Sequence, residues 1–273
     1  MPSAKNPSTA LRAVPLPRKS GGGIQSYALL ASAAAGAGAE KAVLAVGAAP
    51  TLFSAMFKVI PNLLDAPGLA ALVEIANRAT FVDGRISNPH NKAKNNLQTY
   101  DAQAAERLSR ALMEHEDFRN FAFPAKMVPP VLSRYDQGMA YGWHADAATL
   151  DPGTGPVRAD LSCTIFLSSP GSYAGGSLII GLGDAEFKLR GPAGTAIVYP
   201  SHTFHRVEPV TSGARLVGLT FIQSRIASAR HREILYDLNE IAALEGTKMD
   251  FENYSRLQLV QRNLLNDWSD PPR

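Results

Sequence analysis

Between residues 126 and 223 the chain is a succession of short apolar runs, and this pattern limits its fold more than any other feature. The runs "PVLSRYD", "ADLSCTIFLSSP", "GGSLIIGLGD", "AEFKLRGPAG", "TAIVYPSHTFHRVEPV" and "ARLVGLTFIQS" are rich in β-branched residues and are broken by Gly, Pro, Asp and Ser. Strands of this length and spacing predict an all-β sandwich or barrel.

The flanks read as helices. Phe57–Ile60 is strand-like and meets Pro61. Asp65 is placed to cap a helix with Pro67 in its first turn. Leu69, Leu72, Val73 and Ala76 then follow at the spacing of a helix packed on one side. Residues 80–100 are polar, with turns at Gly84 and Asn88-Pro89. Residues 101–118 read as helix, and 228–267 return to helix with Ile234, Leu235, Leu238 and Ile241 on one face. No internal repeat is visible. The expected order is helices, a compact β core, and C-terminal helices.

Composition separates the first 55 residues from the rest. The chain has 273 residues, 45% hydrophobic and 19% charged, the range of a globular protein. Its net charge is +3, yet residues 1–55 alone carry five basic side chains against Glu40, a net of +4, which leaves −1 for residues 56–273. The basic balance therefore belongs to the N-terminal segment, and a nucleic-acid partner, which wants a basic face on the folded body, is not expected. That segment is Ala/Gly-rich and interrupted by Glu40 and Lys41. It is too weakly apolar for a membrane span of about 20 residues and for a signal peptide. We expect a flexible extension over 1–55, with Met56 as the true or an alternative translation start. The single cysteine, Cys163, allows no intrachain disulfide and lies in an apolar run, as a buried small hydrophobe does. A cytoplasmic location is expected.

Within the β region, "YGWHADAATL" places His144 and Asp146 two residues apart. On a strand both would face one side, with Trp143 and Ala145 on the other. His202 and His205 offer a third donor downstream. Two imidazoles and one carboxylate on one face of an octahedron is the set expected for non-haem Fe(II) that activates O₂, with the other face left open.

Arg215 follows His205 by ten residues, with Pro209 and Ser212-Gly213 as turn material between them. A hairpin at that turn would set Arg215 on the strand beside His205. An arginine pointing into a barrel needs a carboxylate to meet it. A dicarboxylate that chelates the metal at one end and pairs with Arg215 at the other would satisfy both residues.

The segments "FVDGRISNPHNKAKNNLQT", "RYDQGMAYGWHADAATL", "DLSCTIFLSSPGSYAGGSL" and "YPSHTFHRVEPVTSGARLVGLTFIQS" together resemble the PKHD-type hydroxylases, Fe(II)/2-oxoglutarate-dependent dioxygenases related to prolyl 4-hydroxylases. The resemblance runs from about Met56 to the C-terminus. It implies a mainly β fold, a double-stranded β-helix (jelly-roll) core with flanking helices, divided as a dioxygenase domain over 56–225 and a helical segment over 226–273. It assigns Fe(II) to His144, Asp146 and His205, choosing His205 over His202, and the distal carboxylate of 2-oxoglutarate to Arg215, with Tyr135 as a co-substrate contact. L-ascorbate enters as an accessory. The implied reaction hydroxylates a substrate C–H with release of succinate and CO₂. Related halogenases carry a small residue in place of the metal-binding aspartate, so Asp146 favours hydroxylation. The family's Gly-Gly-Glu-Leu is Gly175-Gly176-Ser177-Leu178 here, which puts a local contact in question and not the iron site.

Other polar residues receive plainer expectations. Lys92, Lys94, Asn95 and Asn96 form either a solvated loop or a substrate contact. Arg158 and Asp160 are expected to pair, and Ser162 or Thr164 to help hold the co-substrate. His90, His115 and His231 are expected at the surface. The stripe Leu257, Val260, Leu264 and Leu265 suits core or a contact between copies of the chain. Two other function classes share these residues. A non-catalytic sensor of iron or 2-oxoglutarate would keep the whole constellation, while a zinc hydrolase would leave Arg215 unexplained.

Overall fold

The computed structural model describes residues 57–88, 91–183 and 185–270. The expected extension over 1–55, the candidate start Met56 and His90 lie outside the described residues. In chain order, β1 (Lys58–Ile60) leads to helix α1 (Ala66–Arg78), β2 (Val82–Asp83), a 3-10 turn at Gly84–Ser87, β3 (Lys94–Asn95) and β4 (Leu97–Thr99). Helices α2 (Ala102–Glu114) and α3 (Glu116–Ala122) follow. The β region comprises β5 (Pro124–Met127), β6 (Val131–Tyr135), β7 (Ala140–His144), β8 (Thr149–Leu150), β9 (Val157–Arg158), β10 (Leu161–Phe166), β11 (Tyr173–Gly175) and β12 (Leu178–Leu182). It continues with β13 (Ala185–Leu189), β14 (Ala196–Pro200), β15 (His205–Val207), β16 (Val210–Gly213) and β17 (Arg215–Ser224). Helices α4 (Ala229–Glu245) and α5 (Phe251–Trp268) end the chain.

Two antiparallel sheets form the jelly-roll core. The larger runs β1-β14-β10-β17-β6-β4-β2, with β5 also on β17, and the smaller runs β13-β12-β15-β7-β3. Alternation along β10 and β17 explains the layering. Leu161, Cys163 and Ile165 turn outward into a core with Leu72 and Ile75 of α1, Leu108 and Leu112 of α2, and Phe118 and Phe121 of α3. Phe166 and Val217 turn inward against Leu178, Ile180, Phe187 and Leu189 of the smaller sheet. Gly218 on β17 lets α2 approach closely, because a Cβ there would sit 2.8 Å from Leu108 Cδ1.

Helix α1 begins as expected. The Asp65 side chain accepts from the Gly68 N–H at 2.8 Å, a cap worth about 1 kcal/mol. Its buried face is Leu72, Ile75 and Ala76, so the stripe is rotated slightly from the Leu69–Val73 line. Two expectations are corrected. The helix over 101–118 is two helices, broken at His115, whose extended backbone caps both. The polar stretch 80–100 is not only turns: β2, β3 and β4 add short strands to both sheets. Helix α4 docks on α3, with Tyr236 edge-on to Phe121 at 5.4 Å. Helix α5 has no buried residue, Ile241 on α4 is exposed, and in the C-terminal stripe Val260 and Leu265 are exposed while Leu257 and Leu264 are partly covered. No helix among the described residues is long and apolar enough to cross a membrane.

Candidate active site

His144 ends β7 and His205 opens β15, and the two are cross-strand partners in the smaller sheet. Their rings lie 4.2 Å apart. Asp146 joins them from outside the ladder. Strand β7 stops at His144, so the expected strand alternation does not carry Asp146 into place. The Asp146 N–H instead donates to the Ser201 carbonyl at 3.1 Å, which folds the chain back over the site. Asp146 Oδ1 is 3.8 Å from His144 Nε2, and Oδ2 is 3.6 Å from His205 Nε2. One donor atom from each residue lies within 4.8 Å of the others, and both imidazoles are buried.

Hydrogen bonding sets which nitrogen faces this cluster. His144 Nδ1 meets the Gly142 carbonyl at 2.7 Å, and His205 Nδ1 meets the Thr203 carbonyl at 2.9 Å. A carbonyl only accepts, so each Nδ1 carries a proton, which leaves Nε2 as the nitrogen able to offer a lone pair to a metal. Burial, and then the neighbouring His205, pushes the His144 pKa down to about 4. The imidazole is therefore neutral near pH 7, the form that binds a metal. Tyr141 stacks on His144 at 3.6 Å and Tyr199 stands edge-on to His205 at 5.1 Å, so aromatic rings shield both.

The carboxylate is held as firmly. Ser162 Oγ on β10 donates to Asp146 Oδ2 at 2.6 Å and lies 2.8 Å from Ser201 Oγ. Ser162 has one proton, which the carboxylate takes, so Ser201 donates to Ser162. The expectation that Ser162 or Thr164 contacts a co-substrate meets a different fact at Ser162, whose hydroxyl is engaged with Asp146. Thr164 lines the same cavity.

Arg215 and His205 do not form the expected hairpin. His205 lies in the smaller sheet, whereas Arg215 opens β17 in the larger one, opposite Tyr135 of β6. The intervening residues make β16, which pairs with β11. Both residues nevertheless line one cavity of about 220 Å³ between the sheets, together with His144, Asp146 and Tyr135. Arg215 is 1% exposed, and its Nε has no hydrogen-bond partner. Tyr135 and Phe166 lie 5.1 and 5.7 Å from its guanidinium, which attracts the charge without neutralising it. Gly176 is required beside it: at φ +63° a Cβ would stand 3.2 Å from Arg215 Cδ and 2.9 Å from Val210 Cγ2. Ser177 is buried and is not among the cavity-lining residues.

The remaining polar residues divide by burial. Lys94 and Asn96 are buried in the cavity wall, while Lys92 and Asn95 are exposed, the alternation of a short strand. His202 is exposed. His115 and His231 are half-buried and not surface residues as expected, with His231 stacked on Trp268 at 4.0 Å. Arg158 pairs with Asp160 at 2.7 Å and with Asp270 at 2.9 Å, away from the cavity. Ser201 and Tyr141 were not singled out from sequence. Tyr141 sits three residues before His144, but only the strand pairing shows that its ring covers the imidazole.

Two imidazoles and one carboxylate suit a borderline divalent ion. A buried guanidinium with an orphaned N–H in the same cavity suits a carboxylate. The residues present thus fit both Fe(II) and a dicarboxylate.

Comparisons with known proteins agree with this chemistry. Residues 130–223 match the model of the 2OG-Fe(II) oxygenase superfamily. A PKHD-type hydroxylase of Sphingopyxis alaskensis is 53% identical over 217 residues, covering 78% of this chain and 99% of the relative. A PKHD-type hydroxylase of Stenotrophomonas maltophilia is 37% identical over 220 residues, covering 77% of this chain and 98% of the relative. In fold, the chain is similar to a Trichoplax adhaerens prolyl hydroxylase solved with a hypoxia inducible factor peptide fragment, at a TM-score of 0.50 and 13% identity over 67% of this chain and 88% of that one.

Proposed function

Because the chain belongs to the PKHD-type hydroxylases, we propose that His144, Asp146 and His205 hold its Fe(II) and that Arg215, beside Tyr135, holds the distal carboxylate of 2-oxoglutarate. The protein is a 2-oxoglutarate-dependent dioxygenase of the 2OG-Fe(II) oxygenase superfamily. Fe(II) with 2-oxoglutarate and O₂ supplies the oxidising chemistry, hydroxylation of a substrate C–H with release of succinate and CO₂.

The chain's own residues do the positioning. The two Nδ1–H bonds to backbone carbonyls fix the imidazole tautomers, and Ser162 orients the carboxylate. The single observation that carries the residue assignment is the orphaned, fully buried Arg215 in the cavity of the His-Asp-His cluster. A dicarboxylate is the ligand class that answers both ends. The test is succinate formation with Fe(II) under air. His205→Ala should abolish it and His202→Ala should not; activity lost in His202→Ala and kept in His205→Ala would overturn the assignment.

The organisation proposed is a dioxygenase unit over 56–225 and a helical segment over 226–273, in a cytoplasmic protein whose lone thiol, Cys163, is buried. L-ascorbate is an accessory in this reading. Helix α4 leaves Ile241 and Leu244 exposed, and α5 leaves Phe251, Leu259 and Val260 exposed, which supports a contact between copies, measurable as mass in solution.

A further inference from the structure

The cavity holds a second buried cation that the iron and co-substrate leave unanswered. Lys94 is 6% exposed and lines the cavity from β3, where it stands opposite Tyr141 of β7. Its Nζ donates to Ser87 Oγ at 2.6 Å and lies 5.4 Å from the centre of the Tyr141 ring. Ser87 in turn donates onward, to the Gly84 carbonyl or to Gln98 Oε1. Among the described residues no carboxylate pairs with Nζ; Asp146 and Asp83 act on it only through space. A lysine buried to this degree is ordinarily paired.

Charge accounting points the same way. Lys94, Arg215 and Asp146 are the formally charged side chains of the cavity wall other than its histidines. A divalent iron and a dianionic co-substrate cancel one another, and Asp146 offsets one of the two cations. One positive charge remains, and Lys94 is its location because Arg215 faces the co-substrate. The same cavity has an apolar wall in Val128, Pro129, Leu150 and Phe221.

We propose that Lys94 is a specificity-determining residue that binds a carboxylate on the primary substrate, an amphiphilic acid whose apolar body lies along the apolar residues of the same cavity. The proposal rests on the reading of Arg215 as the co-substrate's partner. Ser87 accepts one N–H of the ammonium and the Tyr141 ring lies beside it, which leaves two N–H groups for a carboxylate. The primary amide of the same acid lacks the charge and would leave Lys94 unanswered.

The test uses the whole protein loaded with Mn(II) and saturating 2-oxoglutarate, a state that does not turn over. Binding of 2-oxoglutarate is measured first; if it fails, the co-substrate reading falls and takes the proposal with it. Hexanoate and phenylacetate are then compared with hexanamide and phenylacetamide by ligand-observed NMR titration. The acids should bind about tenfold or more tightly than the amides, with 2-oxoglutarate still bound. K94M should remove that preference and K94R should retain it, which separates loss of charge from loss of fold. Acid and amide that behave alike in the wild type, including no binding by either, would overturn the proposal. So would acids that bind only by displacing 2-oxoglutarate, or an acid preference that survives K94M.

Discussion

Ser162 on the larger sheet donates at 2.6 Å to Asp146, two residues past the end of β7 of the smaller sheet, and this bond ties the two halves of the jelly roll together at the candidate metal site. Asp146 has left its strand, so the bond and the Ser201 carbonyl are what hold it in range of both imidazoles. Removing the hydroxyl leaves the three donors intact but frees one of them to rotate. Ser162→Ala should weaken Mn(II) or Fe(II) affinity roughly 10- to 100-fold, the usual effect of losing an outer partner of a ligand. Metal titration checks it, and an unchanged affinity would show that backbone geometry alone positions the carboxylate.

Arg215 predicts opposite effects on stability and binding. A guanidinium that is 1% exposed with an orphaned N–H is costly while its cavity lacks an anion. R215M should therefore melt no lower than the wild type when both are free of co-substrate. Saturating 2-oxoglutarate at a hundred times its Kd should stabilise the Mn(II)-loaded wild type by about 2.7 kcal/mol. The same addition should leave R215M nearly unmoved. A large 2-oxoglutarate shift in R215M, measured by thermal unfolding, would place the distal carboxylate elsewhere.

Much of this site was legible in the sequence, and its failures share a cause. Periodicity locates β6, β10, β12, β13, β14 and β17 because each buries side chains along a local run. The resemblance brings His144, Asp146, His205, Arg215 and Tyr135 to one place, and all five line one cavity. The expected hairpin between His205 and Arg215 fails because turn residues specify a reversal and not the partner: the chain crosses between sheets, and β16 pairs with β11. Lys94 and Asn96 sit in a polar stretch with no apolar period, so their burial depends on distant partners, β7 pairing with β3 for Lys94 and Ser133 of β6 for Asn96. Ser201 is invisible for the same reason, since its role comes from a turn that touches Asp146 only in three dimensions.

Burial also leaves a pH signature at Lys94. Desolvation pushes its pKa down to about 8, while the unfolded chain keeps a lysine near 10.4. Between those values the unfolded state holds a proton that the folded state has released, so stability rises with pH across this window. Below pH 8 the folded protein carries the buried charge and the full penalty. K94M should accordingly be more stable than the ligand-free wild type at pH 7, with the difference shrinking as pH climbs from 8 toward 10. Chemical denaturation of both proteins at several pH values checks the trend. A difference that stays constant with pH would mean that Lys94 is not desolvated.

Gly176 offers a perturbation of the co-substrate end that touches no metal donor. Its φ of +63° disfavours any side chain, and a Cβ would press on Arg215 Cδ at 3.2 Å and on Val210 Cγ2 at 2.9 Å. The strain falls on the arginine and on β16, away from His144, Asp146 and His205. Gly176→Ala should cost about 1 kcal/mol or more of stability, from the left-handed backbone alone. It should raise the KM for 2-oxoglutarate while leaving Mn(II) affinity within about twofold, since the added Cβ meets none of the three proposed metal donors. Equal losses of metal and co-substrate binding would show instead that the Gly175-Gly176 corner supports the whole cavity. In that case the arginine could not be adjusted independently of the iron site, and the two ends of the cavity would behave as one packed unit.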